Sequence, residues 1–205
     1  MKGAHILAIA ALMVAVSPLA AYADDFFPPQ WRGESGTTMQ QWTFNTSANP
    51  TLANIDNNPY GDPTASITPS ATTHWWNMWQ GHQGVWKFED FMYLDIPNTP
   101  IPNDTKYIWV QFTYYAAGGA MPQLYSDPGE SMMDVVYPPV QIDPYFWHAA
   151  VQLTLHPNPS FERITIEPMD CTLYIDQVVV DTICFPEPST LMLLALGAVA
   201  VLRRR

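Results

Sequence analysis

Prolines set the first limit on what this chain can fold into. There are twenty, grouped at Pro28-Pro29, from Pro97 to Pro102, at Pro138-Pro139, and at Pro157 with Pro159. A proline inside a helix removes a hydrogen bond and clashes with the preceding turn, and in a central strand it breaks the ladder. The spacing therefore cuts the chain between Asp24 and Cys184 into short extended pieces, and no window there carries a helical stripe of ten or more residues.

Within those pieces the pattern has period two. In YIWVQFTYY (107–115), Ile108, Val110, Phe112 and Tyr114 alternate with Tyr107, Trp109, Gln111, Thr113 and Tyr115. In WHAAVQLTLH (147–156), Trp147, Ala149, Val151, Leu153 and Leu155 form one face, and His148, Gln152, Thr154 and His156 the other. This is the signature of half-buried antiparallel strands. Weaker strands are expected in 39–46, 73–80, 85–96, 132–137 and 161–167. The last apolar stretch changes phase: Leu173 and Ile175 share a parity that Val178 and Val180 do not. One extra residue near Asp176-Gln177 would return all four to one face, as a β-bulge does. The expected fold is all-β, an antiparallel β-sandwich or jelly roll.

The two ends read differently. Residues 1–23 have the form of a secretory signal peptide: Lys2, an apolar run from Ile6 to Val16, Pro18, and a small-x-small site at Ala21-Tyr22-Ala23. At the other end, the apolar run from Leu191 to Leu202 would rise about 18 Å as a helix, short of the bilayer's roughly 30 Å hydrocarbon core. Arg203, Arg204 and Arg205 follow it and favour the cytoplasmic side. The domain expected between these ends is 24–185.

Charge and motifs exclude several classes. From Asp24 to Glu187 there are nineteen acidic residues against Arg32, Lys87, Lys106 and Arg163, a net charge of −15. Such a body repels nucleic acid. Neither G-x-S-x-G, H-E-x-x-H nor a phosphate-cradling glycine loop is present. DNNPYGD (56–62) fails as a calcium loop, because Tyr60 stands at the third ligand position and Ile67 at the twelfth. His148 and His156 lie about 26 Å apart along one strand. His74 and His82 flank a turn and could approach each other, with no third ligand defined. The carboxylates are scattered, with no pair set up for glycoside chemistry. The expectation is a non-catalytic protein with no metal and no cofactor; a glycan-acting enzyme is the alternative. Cys171 and Cys184 form a candidate disulfide, but the intervening TLYIDQVVVD reads as one strand that would hold them about 40 Å apart. A disulfide requires about 7 Å or less between Cα atoms.

The unusual constellation is aromatic. Trp75, Trp76, Trp79 and Trp86 fall within HWWNMWQGHQGVWKF (74–88). Trp75 and Trp79 share parity on an extended strand. Two roles are open to these rings: they fill the sandwich core, or Trp75, Trp79 and Trp86 supply a stacking platform for carbohydrate.

Pro186-Glu187-Pro188, a short apolar helix and a terminal arginine cluster resemble the PEP-CTERM sorting signal (186–205) of Gram-negative bacteria. The resemblance implies an exported chain whose tail is recognised and removed by exosortase, a membrane protease, with the precursor held in the inner membrane by that helix. It also implies a place at the cell surface or outside the cell, in species that often make exopolysaccharide or biofilm. FERITIEPMDCTLYIDQVVVDTIC (161–184) resembles the closing strands of galactose-binding-like jelly rolls, and WRGESGTTMQQWTF (31–44) is similar to the bodies of uncharacterised PEP-CTERM proteins. The functional expectation is an envelope or extracellular-matrix component, binding extracellular polysaccharide in its more specific form and purely structural in its plainer one.

Overall fold

The computed structural model describes residues 25–99, 105–127, 130–169 and 171–185. The segment 1–23, read above as a signal peptide, and the tail 186–205, with Pro186, Glu187, Pro188, Arg203, Arg204 and Arg205, lie outside the described residues. Among the described residues no helix is long and apolar enough to cross a membrane.

Among the described residues, thirteen strands build an antiparallel sandwich. They are β1 (Thr37–Trp42), β2 (Thr51–Leu52), β3 (Ile55–Asp56), β4 (Thr64–Ile67), β5 (His74–Trp79), β6 (His82–Phe88), β7 (Met92–Pro97), β8 (Thr105–Tyr115), β9 (Gln123–Asp127), β10 (Glu130–Gln141), β11 (Trp147–His156), β12 (Phe161–Glu167) and β13 (Leu173–Phe185). The larger sheet runs β10-β11-β8-β13-β1-β3, with the β5–β6 hairpin attached to the start of β13. The smaller sheet runs β2-β4-β7-β12-β9. The stretch 85–96, expected as one strand, is two. It breaks at Glu89-Asp90-Phe91, where the chain leaves β6 in the larger sheet for β7 in the smaller.

The core fills the space between the sheets. Met92, Leu94 and Ile96 of β7 and Ile164 and Ile166 of β12 belong to one buried cluster with Val110, Phe112 and Tyr114 of β8, Val151 and Leu153 of β11, and Trp42 of β1. The phase change in β13 is the expected bulge: its register against β8 shifts between Ile175 and Gln177. Leu173, Ile175, Val178 and Val180 all join the core as a result. The bulge also marks a change of neighbour, because β13 pairs with β6 over Leu173–Ile175 and with β1 over Val178–Ile183.

One expectation is corrected. β8, β11 and β13 are covered on both faces, since Gln111, Thr113, His148, Val179 and Asp181 on the outer face are buried. The segment from Asp25 to Arg32 lies over that face and satisfies its polar groups. Gln111 accepts a hydrogen bond from the Phe27 amide (2.7 Å) and donates to Asp25 (2.6 Å), while the Trp109 indole donates to the Phe27 carbonyl (2.9 Å). Arg32 forks onto both oxygens of Asp181 (2.5 and 2.6 Å) and also pairs with Asp25. Asp181 is fully buried, so removing the guanidinium would strand a carboxylate without its counter-charge. Arg32→Ala should therefore lower unfolding stability by about 2 kcal/mol, less than a wholly buried pair would cost because Arg32 is partly exposed. Chemical denaturation checks this, and a change near zero would show that the N-terminal cover is not held by this pair.

Candidate functional site

The β5–β6 hairpin turns through Gln80 (φ 50°) and Gly81 (φ 91°). Two successive positive φ values are the mark of the tight turn that matches strand twist. The turn makes Trp79 and His82 direct cross-strand partners. Further back, Trp75 pairs with Trp86. Trp86 is buried in the core, and Trp75 packs against the core with its indole N–H donated to the Phe44 carbonyl (2.9 Å).

Shared parity does not put Trp79 beside them. Trp79 stacks on Tyr174 (centroids 4.3 Å apart, 17° between planes) and leans on Tyr115 at 5.3 Å. Tyr174 sits between Leu173 and Ile175, and Tyr115 follows Tyr114, so both point to the outer face. Between the two tryptophan positions lies Gly84 at φ 81°, where an added Cβ would meet the Phe44 carbonyl oxygen at 2.4 Å. Glycine is required there both by the backbone angle and by the close approach. Beyond that kink the hairpin tip lies over the outer face.

The tip meets three other segments. The β10–β11 turn supplies Asp143, Tyr145 and Phe146. Its shape is set by Asp143 Oδ1, which accepts the amides of Tyr145 and Phe146 (both 2.7 Å). Trp79 meets Tyr145 at 6.3 Å and Phe146 at 5.6 Å, edge to face. The end of β8 supplies Tyr115, and β13 supplies Tyr174 and Asp176. Asp176 is the bulge residue, and the extra position turns its carboxylate onto His82. The imidazole is held at both nitrogens: Nδ1 to Asp176 Oδ2 at 2.7 Å and Nε2 to Asp143 Oδ2 at 2.6 Å. Its ring lies against Phe146, with centroids 3.9 Å apart. Burial disfavours the imidazolium, but the bonds and charges of Asp176 and then Asp143 outweigh it and raise the His82 pKa to about 9. The Asp143 carboxyl is held below its usual range: burial opposes this, and the two backbone amides and His82 prevail.

The result is a surface patch of four half-exposed or exposed rings, Trp79, Tyr115, Tyr145 and Tyr174, beside a charged clamp. A shallow depression lined by Gln141, Ile142, Asp143 and Pro144 adjoins it. Both carboxylates of the clamp are engaged by one imidazole.

Other sequence candidates are dispersed. His74 pairs with Lys87, five rungs from His82, and packs on Trp76; the two histidines do not meet. His148 is buried under Phe26 and Phe27, and desolvation lowers its pKa to about 4. Asn58 and Tyr60 donate their amides to Asp56 and Asn58, so 56–62 is a turn. Among the described residues no cluster of metal-ligating side chains occurs. Cys171 and Cys184 are free thiols, Cys171 two residues ahead of β13 and Cys184 the second-to-last residue of that strand. The partners of His82 were not legible in the sequence, because Asp143 and Asp176 lie 61 and 94 residues away.

A clamp of this kind carries a pH signature. A base whose pKa is raised on folding stabilises most below its unfolded value and loses that contribution as pH rises through the folded one. The stability difference between the wild-type chain and His82→Gln should be constant below about pH 6.5, shrink as pH rises from there, and be lost by about pH 9. Urea denaturation across that range checks it, and a pH-independent difference would contradict a charged clamp.

A family model of the PEP-CTERM protein-sorting motif matches residues 186–205. No curated protein and no solved structure matches the chain.

Proposed function

We propose that this chain, whose PEP-CTERM tail marks it as a substrate of the membrane protease exosortase and as sorted to the cell surface, is a non-catalytic carbohydrate-binding component of the cell envelope or extracellular matrix. The observation that carries this reading is the ring cluster around Trp79, assembled on the outer face from four segments and rigidified by the His82 clamp.

The chemistry favours a neutral sugar polymer. Aromatic rings have an apolar face and, in tyrosine, a polar rim, so they suit the C–H faces and hydroxyls of a sugar ring. The strongly acidic body disfavours anionic polymers. Three of the four basic residues of the body are already paired: Arg32 with Asp25 and Asp181, Lys106 with Glu162, and Arg163 with Asp95.

The roles expected of three tryptophans now separate. Trp79 is the binding ring, while Trp75 and Trp86 hold the hairpin to the core. Affinity electrophoresis through gels containing neutral polysaccharide tests this. Trp79→Ala should weaken retention at least tenfold while lowering stability by only about 1 kcal/mol, whereas Trp86→Ala should destabilise the fold by about 3 kcal/mol or more. Equal retention of wild type and Trp79→Ala, or no retention on any polysaccharide, would overturn the reading.

A further inference from the structure

At the opposite end of β13 from the clamp, the two sheets enclose a polar group that binding does not use. Lys106, the second residue of β8, points inward and is fully buried, as is Glu162, the second residue of β12. Lys106 Nζ contacts Glu162 Oε1 directly. Glu162 pairs across the ladder with Ile96, and Asn98 follows two positions later with the same inward parity. The Asn98 side chain hydrogen-bonds to the same carboxylate, is buried, and meets Asn158 and Cys184 on its other side (Cys184 Sγ to Asn98 Oδ1, 3.9 Å). The geometry thus brings an amine, a carboxyl and a primary amide together in a buried pocket between the sheets.

We infer that Lys106 and Asn98 are joined by an intramolecular isopeptide bond formed with Glu162 as the acid–base group. Desolvation disfavours a buried ion pair relative to its neutral form. A proton passes from the Lys106 ammonium to Glu162, leaving a neutral amine with a free electron pair. That pair attacks Cγ of Asn98, and the Nζ–Cγ bond forms. Glu162 relays a proton from Nζ to Nδ2, the Cγ–Nδ2 bond breaks, and ammonia leaves. The ammonia takes up the proton held by Glu162 and departs as ammonium. Nothing is oxidised or reduced, and no further reactant is consumed. Burial raises the Glu162 pKa, against the opposing pull of Lys106 and Asn98, which suits a group that must hold a proton in transit.

The position gives the bond a use. Lys106 lies opposite Cys184 in the β8–β13 ladder, one residue from Phe185, which leads to the sorting tail. A covalent tie from β8 to the end of β7 would fasten the larger sheet to the smaller where the chain leaves the sandwich.

Mass spectrometry of the full chain after tryptic digestion tests the inference. The expected result is that trypsin fails at Lys106, that the peptide 88–163 is lighter than its sequence by one ammonia, about 17 Da, and that fragmentation joins Lys106 to Asn98. In Lys106→Met, Asn98 should keep its full mass, and Glu162→Gln should leave Lys106 unjoined and open to trypsin. The wild-type measurement depends on no variant folding. An unmodified Lys106 in the wild-type chain overturns the proposal. So does a loss of ammonia that persists in Lys106→Met, the mark of a succinimide at Asn98, or a bond from Lys106 to Asn158.

Discussion

The rest of this structure depends on one added residue in β13. Without the bulge at Asp176, the apolar set Leu173, Ile175, Val178 and Val180 would split between the two faces, and half of it would leave the core. The same irregularity lets β13 take two different neighbours along one edge, β6 before the bulge and β1 after it. It also delivers a carboxylate to His82. Core continuity, hairpin attachment and the charged clamp thus share a single local cause. A bulge beside a candidate site is in keeping with the general use of bulges to re-aim a side chain.

The hairpin shows how a small backbone feature overrides a sequence pattern. Trp75 and Trp79 have the same parity and, on a regular strand, would share a face. Gly84, pressed against the carbonyls of Thr43 and Phe44 at positive φ, turns the tip away. Trp75 then caps the core, while Trp79 joins tyrosines on the outer face. A single sequence shows the tryptophans plainly, and it shows a glycine. It does not show that this glycine carries the kink.

What the sequence made legible follows the range of the interactions involved. Alternation in β8 and β11 and the phase slip in β13 are local patterns, and they placed the antiparallel strands, the core and the bulge correctly. The covering of the outer face was not legible, because Gln111 and Asp181 read as solvent-facing polar residues until Asp25, Phe27 and Arg32 are seen above them. The short strands β2, β3, β4 and β9 carry too few residues for a periodic signal. The clamp was hidden for the same reason as the cover: its three members come from distant parts of the chain and meet only after the sheets form. The sorting tail is the reverse case, a contiguous motif that needs no tertiary structure to be read.

Taken together, the tail supplies an address and the sandwich supplies a rigid aromatic surface to display there. The central claim is that Trp79 and its tyrosine neighbours form that surface. Its most direct test is an indole N–H spectrum of the nitrogen-15-labelled protein during titration with a neutral oligosaccharide. The account predicts that the Trp79 resonance shifts in a saturable way while those of the buried Trp42 and Trp86 stay in place. A titration in which Trp79 does not move, or in which all the indoles drift together without saturation, would contradict it.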